Sequence, residues 1–179
     1  MSLLGAWSPW YERLTPADAA ARYGGTVTYA MAADWLSGLS VEDWGCGFGT
    51  FRRHHDAGYW GVDGTPGFCD LVADLEQRRS PTPGLLLRHV LEHNTGWRDI
   101  LGNAAWSARR RIVVIVFTPD GHGEQVGWTD ELCVPDLALP HADITAALTA
   151  WAGPSGVVTM ETVSTPTAYG AETVWLAAR

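Results

Sequence analysis

Short apolar runs, closed by glycine, proline or aspartate, recur along the chain and are its clearest pattern. The strongest predicted strand covers residues 111–117, in which six consecutive apolar residues are followed by Thr118 and Pro119. An apolar run bounded by turn residues is typical of a buried strand. Further strands are predicted over residues 39–44, 59–62, 84–87, 156–163 and 173–177.

Helical stretches are predicted between these runs. Thr15 followed by Pro16 is typical of a helix start, because threonine caps the first turn and proline is tolerated at its first position. We expect this helix to end near Gly24. The other helices are predicted over residues 27–36, 50–57, 97–109 and 142–151. Residues 68–79 fit a short strand and a helical turn equally well.

Strands and helices alternate through the middle of the chain, which predicts a parallel sheet covered on both faces. Two consecutive strands at the end predict an antiparallel finish. The expected fold is therefore α/β, a three-layer doubly wound and mostly parallel sheet with an antiparallel last strand. The length of 179 residues fits a single domain. We divide it into a helical N-terminal lid (residues 1–38) and a core (residues 39–179), with residues 118–140 as a long surface excursion.

Composition and charge make some binding partners and cellular locations less favoured than others. A net charge of −8 weighs against a broad phosphate-binding face, although the arginine runs at residues 52–53 and 109–111 leave local nucleic-acid contact open. Three widely spaced cysteines favour a reducing cytoplasm. No apolar run approaches the ~20 residues of a transmembrane helix. The first ten residues lack Lys and Arg, so we also expect no secretory signal and no membrane association.

The most informative segment for chemistry joins the first predicted core strand to the next helix. Gly45, Gly47 and Gly49 allow the backbone to approach a ligand and to adopt positive φ. Ligands of doubly wound sheets bind at the carboxyl ends of the strands. Asp63 ends the next strand, where a carboxylate can accept hydrogen bonds from ribose hydroxyls. Because Thr50 stands where the G-x-G-x-x-G fingerprint has glycine, a nicotinamide cofactor fits less well.

Four motifs in this order resemble those of the class I S-adenosylmethionine-dependent methyltransferase family. Residues 43–49 (DWGCGFG) are similar to the motif that wraps the methionine part of the cofactor, and residues 61–64 to the motif whose acid binds ribose. Residues 73–75 look like the segment that contacts adenine, and residues 86–93 resemble the fourth-strand motif. The resemblance implies S-adenosylmethionine as cofactor and a Rossmann-like methyltransferase fold. The implied cofactor-binding residues are Asp43, Gly45, Cys46, Gly47, Gly49, Asp63, Gly64, Asp74, Leu75 and Arg88.

His89 and His93 are candidate catalytic bases, because imidazole titrates near neutral pH. With Glu92 they also match H-x-x-E-H, the inverted zinc-protease motif. That site needs two imidazoles one helical turn apart, whereas the preceding apolar run places His89 at a strand end, so we expect no metal. A structural role at this strand–loop junction is the third interpretation.

The resemblance implies methyl transfer, and the acceptor is open. We favour a small molecule, because the chain is acidic and carries no appended recognition domain; a peptide or nucleic acid is the alternative. No N-P-P-Y, D-P-P-Y or Pro-Cys sequence supports methylation of a DNA base. The second hypothesis is a non-catalytic cofactor-binding module or partner subunit. The residues considered for a lid or acceptor pocket, with plain packing as the alternative, are Trp7, Trp10, Tyr11, Tyr29, Trp35, His122 and Trp128.

Overall fold

The computed structural model describes residues 8–13, 15, 17, 27–129 and 134–179. Within them, four α-helices are found: α1 (Ser8–Arg13), α2 (Val27–Leu36), α3 (Trp97–Ser107) and α4 (His141–Ala152). Two 3-10 helices cover Thr50–Arg53 and Leu91–His93. The described strands are β1 (Val41–Trp44), β2 (Tyr59–Asp63), β3 (Leu71–Val72), β4 (Thr82–Arg88), β5 (Ala108–Val116), β6 (Glu124–Thr129), β7 (Val134–Ala138), β8 (Val157–Ser164) and β9 (Ala171–Ala178).

Seven of these strands form one sheet in the order β3-β2-β1-β4-β5-β9-β8. Strands β1 to β5 pair in parallel, and β9 pairs antiparallel with both β5 and β8. Strands β6 and β7, which follow β5 and precede α4 along the chain, form a separate antiparallel pair. The predicted α/β class, the parallel sheet and the antiparallel last strand are confirmed.

Each central strand is buried on both faces, which explains its continuous apolar run. Successive side chains of a strand point to opposite faces. Leu85 and Leu87 accordingly join the core cluster that contains Ile100 of α3 and Ile144 of α4. Leu86 lies in the opposite cluster with the buried residues of α2. The sheet is therefore the middle of three layers, as predicted.

Two predicted elements differ from the structure. The helix predicted over residues 50–57 is only the short 3-10 helix Thr50–Arg53. The chain then turns away, and the His55 ring binds the carbonyl oxygen of Leu39 at 2.8 Å. The prediction of a surface excursion over residues 118–140 is wrong for its second part, because β7 is mostly buried and Leu137 and Leu139 belong to the core.

Most of the helix predicted from Thr15 to about Gly24 falls on residues 16 and 18–24, outside the described residues, so it stays a prediction. The side chains of Trp7 and Trp10 lie outside them as well. Among the helices that are described, none has the length and apolar character needed to span a bilayer.

Candidate active site

The glycine loop, residues 45–49, leaves β1 with three residues of positive φ: Gly45 at 71°, Gly47 at 54° and Gly49 at 65°. Other residues rarely adopt this conformation, so the spacing of glycines in the sequence is a requirement of the backbone. At Gly45 the space is also closed, since a Cβ built there would lie 2.3 Å from Cγ2 of Val90. The amides of Gly45 and Cys46 donate to the Val62 carbonyl at 2.7 and 3.1 Å, which ties the loop to β2.

Asp63 at the end of β2 faces this loop and is buried. Its Oδ2 accepts hydrogen bonds from the Gly47 amide at 2.9 Å and the Tyr11 hydroxyl at 3.3 Å. Its Oδ1 accepts one from the Thr65 amide at 2.8 Å. Burial raises the pKa of Asp63, while the backbone donors at Gly47 and Thr65 oppose that rise. The carboxylate is thus held in one orientation beside the glycine loop.

Tyr11 brings α1 over the glycine loop. Its ring lies 4.9 Å from that of Phe48 and 6.2 Å from that of Phe68 between centroids, and the two phenylalanine rings are 4.7 Å apart. Burial raises the pKa of the Tyr11 hydroxyl, so it remains a hydrogen-bond donor to Asp63. This aromatic cluster (Tyr11, Phe48, Phe68) covers the loop from the N-terminal side.

Asp43 and Cys46 are buried beside the loop. Oδ2 of Asp43 accepts the Tyr59 hydroxyl at 2.8 Å, and burial raises the pKa of Asp43 to about 7. Burial also raises the pKa of the Cys46 thiol, which keeps it protonated. The Cys46 sulfur lies 2.9 Å from the position of a Cβ built on Gly61, so it fills the space that this glycine leaves.

The predicted adenine segment follows β3. Asp74 accepts hydrogen bonds from the Glu76 amide at 3.0 Å and the Gln77 side chain at 3.3 Å, so it stabilises its own turn. Leu75 is buried in the core cluster of α3. Gly64 adjoins Asp63, and its amide is one of the donors that lower the pKa of that carboxyl.

Arg88 at the end of β4 contacts Glu172 of β9 and Tyr29 of α2. Its Nη2 lies 2.6 Å from Oε1 of Glu172, and its Nη1 donates to the Tyr29 hydroxyl at 3.2 Å. Glu172 is fully buried and also accepts a hydrogen bond from Thr28 at 2.6 Å. Burial would raise the pKa of Glu172, but the hydrogen bond from His89 and the Arg88 charge lower it to about 2. The sequence analysis missed Glu172, although an acid inside an apolar strand requires a partner.

His89 follows Arg88 with φ at 55°, in the left-handed region where few residues other than glycine lie. Its Nε2 contacts Oε1 of Glu172. Burial and the neighbouring Arg88 charge lower the pKa of His89 to about 4, so the ring is neutral at pH 7. An ionised carboxylate only accepts hydrogen bonds, so Nε2 of His89 carries the ring hydrogen.

His93 ends the second 3-10 helix and is buried. Its Nδ1 lies 3.2 Å from the Pro135 carbonyl oxygen and 3.3 Å from Oδ1 of Asp136. Glu92 points elsewhere, with Oε1 accepting the Phe117 amide at 3.0 Å, and burial raises its pKa to about 7. Among the described residues, no group of three or more His, Cys, Asp or Glu side chains could hold a metal ion.

The other residues considered for a lid or acceptor pocket are either packed against neighbouring side chains or exposed. Tyr29 and Trp35 pack, the first against Arg88 and the second through a hydrogen bond from its indole to the Ala177 carbonyl at 3.1 Å. Trp128 is 59% exposed on β6, and His122 is exposed too. In the arginine runs, Arg52 pairs with Asp70 and Arg111 donates to the Trp35 carbonyl.

No family model matches the sequence, and no curated protein is detectably similar to it. Solved structures of similar fold do exist. Magnesium protoporphyrin IX methyltransferase from Synechocystis PCC 6803, with bound S-adenosylhomocysteine, is 19% identical with a TM-score of 0.62, over 97% of this chain and 93% of that one. The 1,6-didemethyltoxoflavin-N1-methyltransferase of Burkholderia thailandensis, also with bound S-adenosylhomocysteine, is 16% identical with a TM-score of 0.65, over 96% and 86%.

A third similar chain comes from a complex that contains the Haloferax volcanii Trm112 methyltransferase activator. It is 15% identical with a TM-score of 0.69, over 97% of this chain and 95% of that one. Identities this low establish the fold alone. The chain therefore has the fold of the class I S-adenosylmethionine-dependent methyltransferases, as the sequence motifs predicted.

Proposed function

We propose that this protein binds S-adenosylmethionine at the glycine loop and transfers its methyl group to a small-molecule acceptor. The observation that carries the proposal is the pairing of Gly47 and Asp63, in which a loop of positive φ and a buried carboxylate face each other at 2.9 Å. Such a cradle at the carboxyl ends of parallel strands suits a nucleoside ligand. Two similar folds hold S-adenosylhomocysteine and bear the names of small-molecule methyltransferases, which supports the same ligand and acceptor class here.

In this proposal the cofactor contacts follow the motifs. The loop backbone at Gly45, Cys46, Gly47 and Gly49, together with Asp43, holds the methionine part. Asp63 and Gly64 hold the ribose, and Asp74 and Leu75 border the adenine. Arg88 is the exception, because its guanidinium already binds Glu172 and Tyr29. We assign Arg88 the role of holding Glu172, which in turn binds His89.

The cofactor supplies an electrophilic methyl group, so the chain has to orient the acceptor and remove its proton. Of the two candidate bases, His93 suits that task better. His89 donates Nε2–H to Glu172 and is held in a left-handed conformation, which fits a group that fixes the segment after β4. His93 follows on the same segment, beside the β6–β7 pair.

A second candidate function is a cofactor-binding partner subunit. The similar chain from the complex with the Haloferax volcanii Trm112 methyltransferase activator supports it, because that complex contains a second protein. Methyl transfer by the purified protein alone would separate the two functions in favour of the enzyme.

The first test is calorimetric titration with S-adenosylmethionine and S-adenosylhomocysteine, for which we expect dissociation constants of roughly micromolar, or about −8 kcal/mol. Asp63→Ala should weaken binding by about 1.5–3 kcal/mol, the range for hydrogen bonds to a charged group. The variant should also unfold at lower temperature, because Asp63 binds two backbone amides of its own loops.

The matched control is Asp143→Ala, which removes an exposed aspartate that pairs with Arg98 on the far helices. It should leave both titrations unchanged. Failure of the wild-type protein to bind either compound would refute the proposal, and unchanged affinity in Asp63→Ala would refute the ribose assignment.

A further inference from the structure

Three segments far apart in the sequence bring a histidine, an aspartate and a tyrosine together beside β4 and β5. His93 lies in the 3-10 helix after β4, Asp136 lies on β7, and Tyr169 lies in the loop between β8 and β9. The methyltransferase motifs contain only the first of these residues. The other two therefore have no role in the function proposed so far.

One carboxylate joins the other two side chains. Oδ1 of Asp136 lies 3.3 Å from Nδ1 of His93, and Oδ2 accepts a hydrogen bond from the Tyr169 hydroxyl at 3.1 Å. Asp136 and His93 are only 4% and 6% exposed, whereas Tyr169 is 36% exposed. A buried carboxylate is stable only with such partners, so the arrangement is a chain of contacts from the interior to the surface.

The contacts at Nδ1 determine where the hydrogen of the His93 ring lies. Among the described residues, two oxygens lie near Nδ1, the Pro135 carbonyl oxygen at 3.2 Å and Oδ1 of Asp136 at 3.3 Å. Both are acceptors, so Nδ1 carries the hydrogen. In the neutral ring Nε2 then carries the lone pair that can take a proton.

Phe117 and Gly127 fix this chain of contacts in place. The Phe117 ring lies 5.4 Å from the His93 ring and 5.7 Å from the Tyr169 ring between centroids. A Cβ built on Gly127 of β6 would lie 2.3 Å from the Tyr169 hydroxyl oxygen and 3.2 Å from Oδ2 of Asp136. The backbone of β6 therefore packs directly onto the Asp136–Tyr169 pair.

We propose that Asp136 and Tyr169 are positioning residues that hold His93 as the base for the acceptor, and this inference rests on the methyl transfer proposed above. The X–H bond of a hydroxyl or ammonium acceptor breaks, and its proton goes to Nε2 of His93. The electron pair left on X forms the bond to the methyl carbon, while the carbon–sulfur bond breaks and leaves its electrons on sulfur. The imidazolium keeps its Nδ1–H beside the Pro135 carbonyl and the Asp136 carboxylate, whose charge stabilises it, and later releases the added proton to water.

The decisive experiment is nitrogen NMR of protein labelled with 15N-histidine, which distinguishes the two neutral tautomers of His93 without any acceptor. We expect the Nδ1–H tautomer in the wild-type protein. Asp136→Asn should produce a mixture of tautomers, because the amide can donate to Nδ1 as well as accept from it. Tyr169→Phe should cause a smaller change in the same signals.

Asp143→Asn is the matched control, since it makes the same substitution at an exposed aspartate on α4, and it should leave the His93 signals unchanged. An Nε2–H tautomer in the wild-type protein, or identical His93 signals in Asp136→Asn, would overturn the inference. Thermal unfolding identifies a variant that has simply lost its fold.

Two further measurements separate this inference from the cofactor proposal. Asp136→Asn should bind S-adenosylhomocysteine with the same affinity as the wild-type protein. If the wild-type protein does not bind this compound, the methyl-transfer proposal is contradicted, whereas the tautomer of His93 is still determined by NMR. With any acceptor that the protein methylates, Asp136→Asn should lower kcat at least tenfold at an unchanged KM for S-adenosylmethionine. A change in that KM alone would contradict a role in positioning the base.

Discussion

At the carboxyl ends of β1 and β2, the Asp63 carboxylate is held mainly by backbone amides, those of Gly47 and Thr65. Beside β4 and β5, the carboxylates of Asp136 and Glu172 are held by side chains from distant segments. Backbone donors keep their positions only while the loop keeps its conformation, whereas side-chain partners can be changed one at a time. Under the proposed function, the first region is the cofactor side, and the second, which also holds Glu92 and His93, is the acceptor side. We therefore expect the cofactor side to fail through backbone changes and the acceptor side through changes of side-chain chemistry.

The largest expected effect is that of Gly45→Ala on the cofactor side. The new Cβ would lie 2.3 Å from Val90 Cγ2, at a φ of 71°. Overpacking costs about 1–3 kcal/mol and the left-handed conformation about 1–2 kcal/mol. Denaturant unfolding should therefore show a loss of roughly 2–5 kcal/mol, and calorimetry should show S-adenosylhomocysteine binding at least tenfold weaker.

Gly38→Ala is the matched control. Gly38 has a φ of 72°, and no atom of the described residues, its chain neighbours aside, lies within 4 Å of its built Cβ. It shares the backbone strain and lacks the clash, so it should cost only about 1–2 kcal/mol and leave ligand binding unchanged. Equal losses in the two variants would contradict the close contact of the loop with Val90.

On the acceptor side, the next largest effect belongs to Glu92→Gln. Burial raises the pKa of Glu92 from 4.5 to about 7, and its Oε2 has no hydrogen-bond partner among the described residues. Between these pH values the unfolded chain has released the proton and the folded chain keeps it, so stability falls as pH rises from about 4.5 to 7. The glutamine variant lacks this loss and should be more stable above pH 7 by up to about 3 kcal/mol.

The measurement is the difference in unfolding free energy between wild type and variant across pH 4 to 8. Asp43, whose pKa burial also raises to about 7, contributes equally to both proteins and cancels. Glu161→Gln, at an exposed glutamate of β8, should change stability by less than about 0.5 kcal/mol. If the difference in unfolding free energy between Glu92→Gln and wild type does not grow with pH, Glu92 is not buried in its protonated form. Weaker binding of S-adenosylhomocysteine by Glu92→Gln would contradict the separation of the two sides.

The same contrast explains what the sequence could predict. The central strands follow from their apolar runs, and α2 has the predicted bounds, Val27–Leu36. Strand β3 remained undecided because its two residues, Leu71 and Val72, are largely exposed and carry no burial pattern. The β6–β7 pair was missed because exposed Val126 and Trp128 mix with polar residues.

The candidate site divides in the same way. The glycine loop and Asp63 depend on local backbone conformation, so their spacing along the chain reveals them. Glu172 contacts His89 from 83 residues away, and Tyr169 lies 33 residues from Asp136. No local spacing records such contacts, because they exist only after the sheet has formed. Partners of this kind are found from the three-dimensional structure.

The smallest expected effect concerns the Tyr11 hydroxyl, a side-chain donor to Asp63, whose other donors are backbone amides. A carboxylate offers about four lone-pair sites. On Asp63 the backbone amides of Gly47, Thr65 and Gly64 and the Tyr11 hydroxyl already use them. Because the hydroxyl is the one replaceable donor among them, a ribose hydroxyl would compete with it. Tyr11→Phe keeps the aromatic ring and should tighten S-adenosylhomocysteine binding by about 1 kcal/mol, roughly fivefold by calorimetry. Tyr169→Phe, the same change on the acceptor side, should leave that affinity unchanged, whereas weaker binding in Tyr11→Phe would mean that this hydroxyl binds the ligand itself.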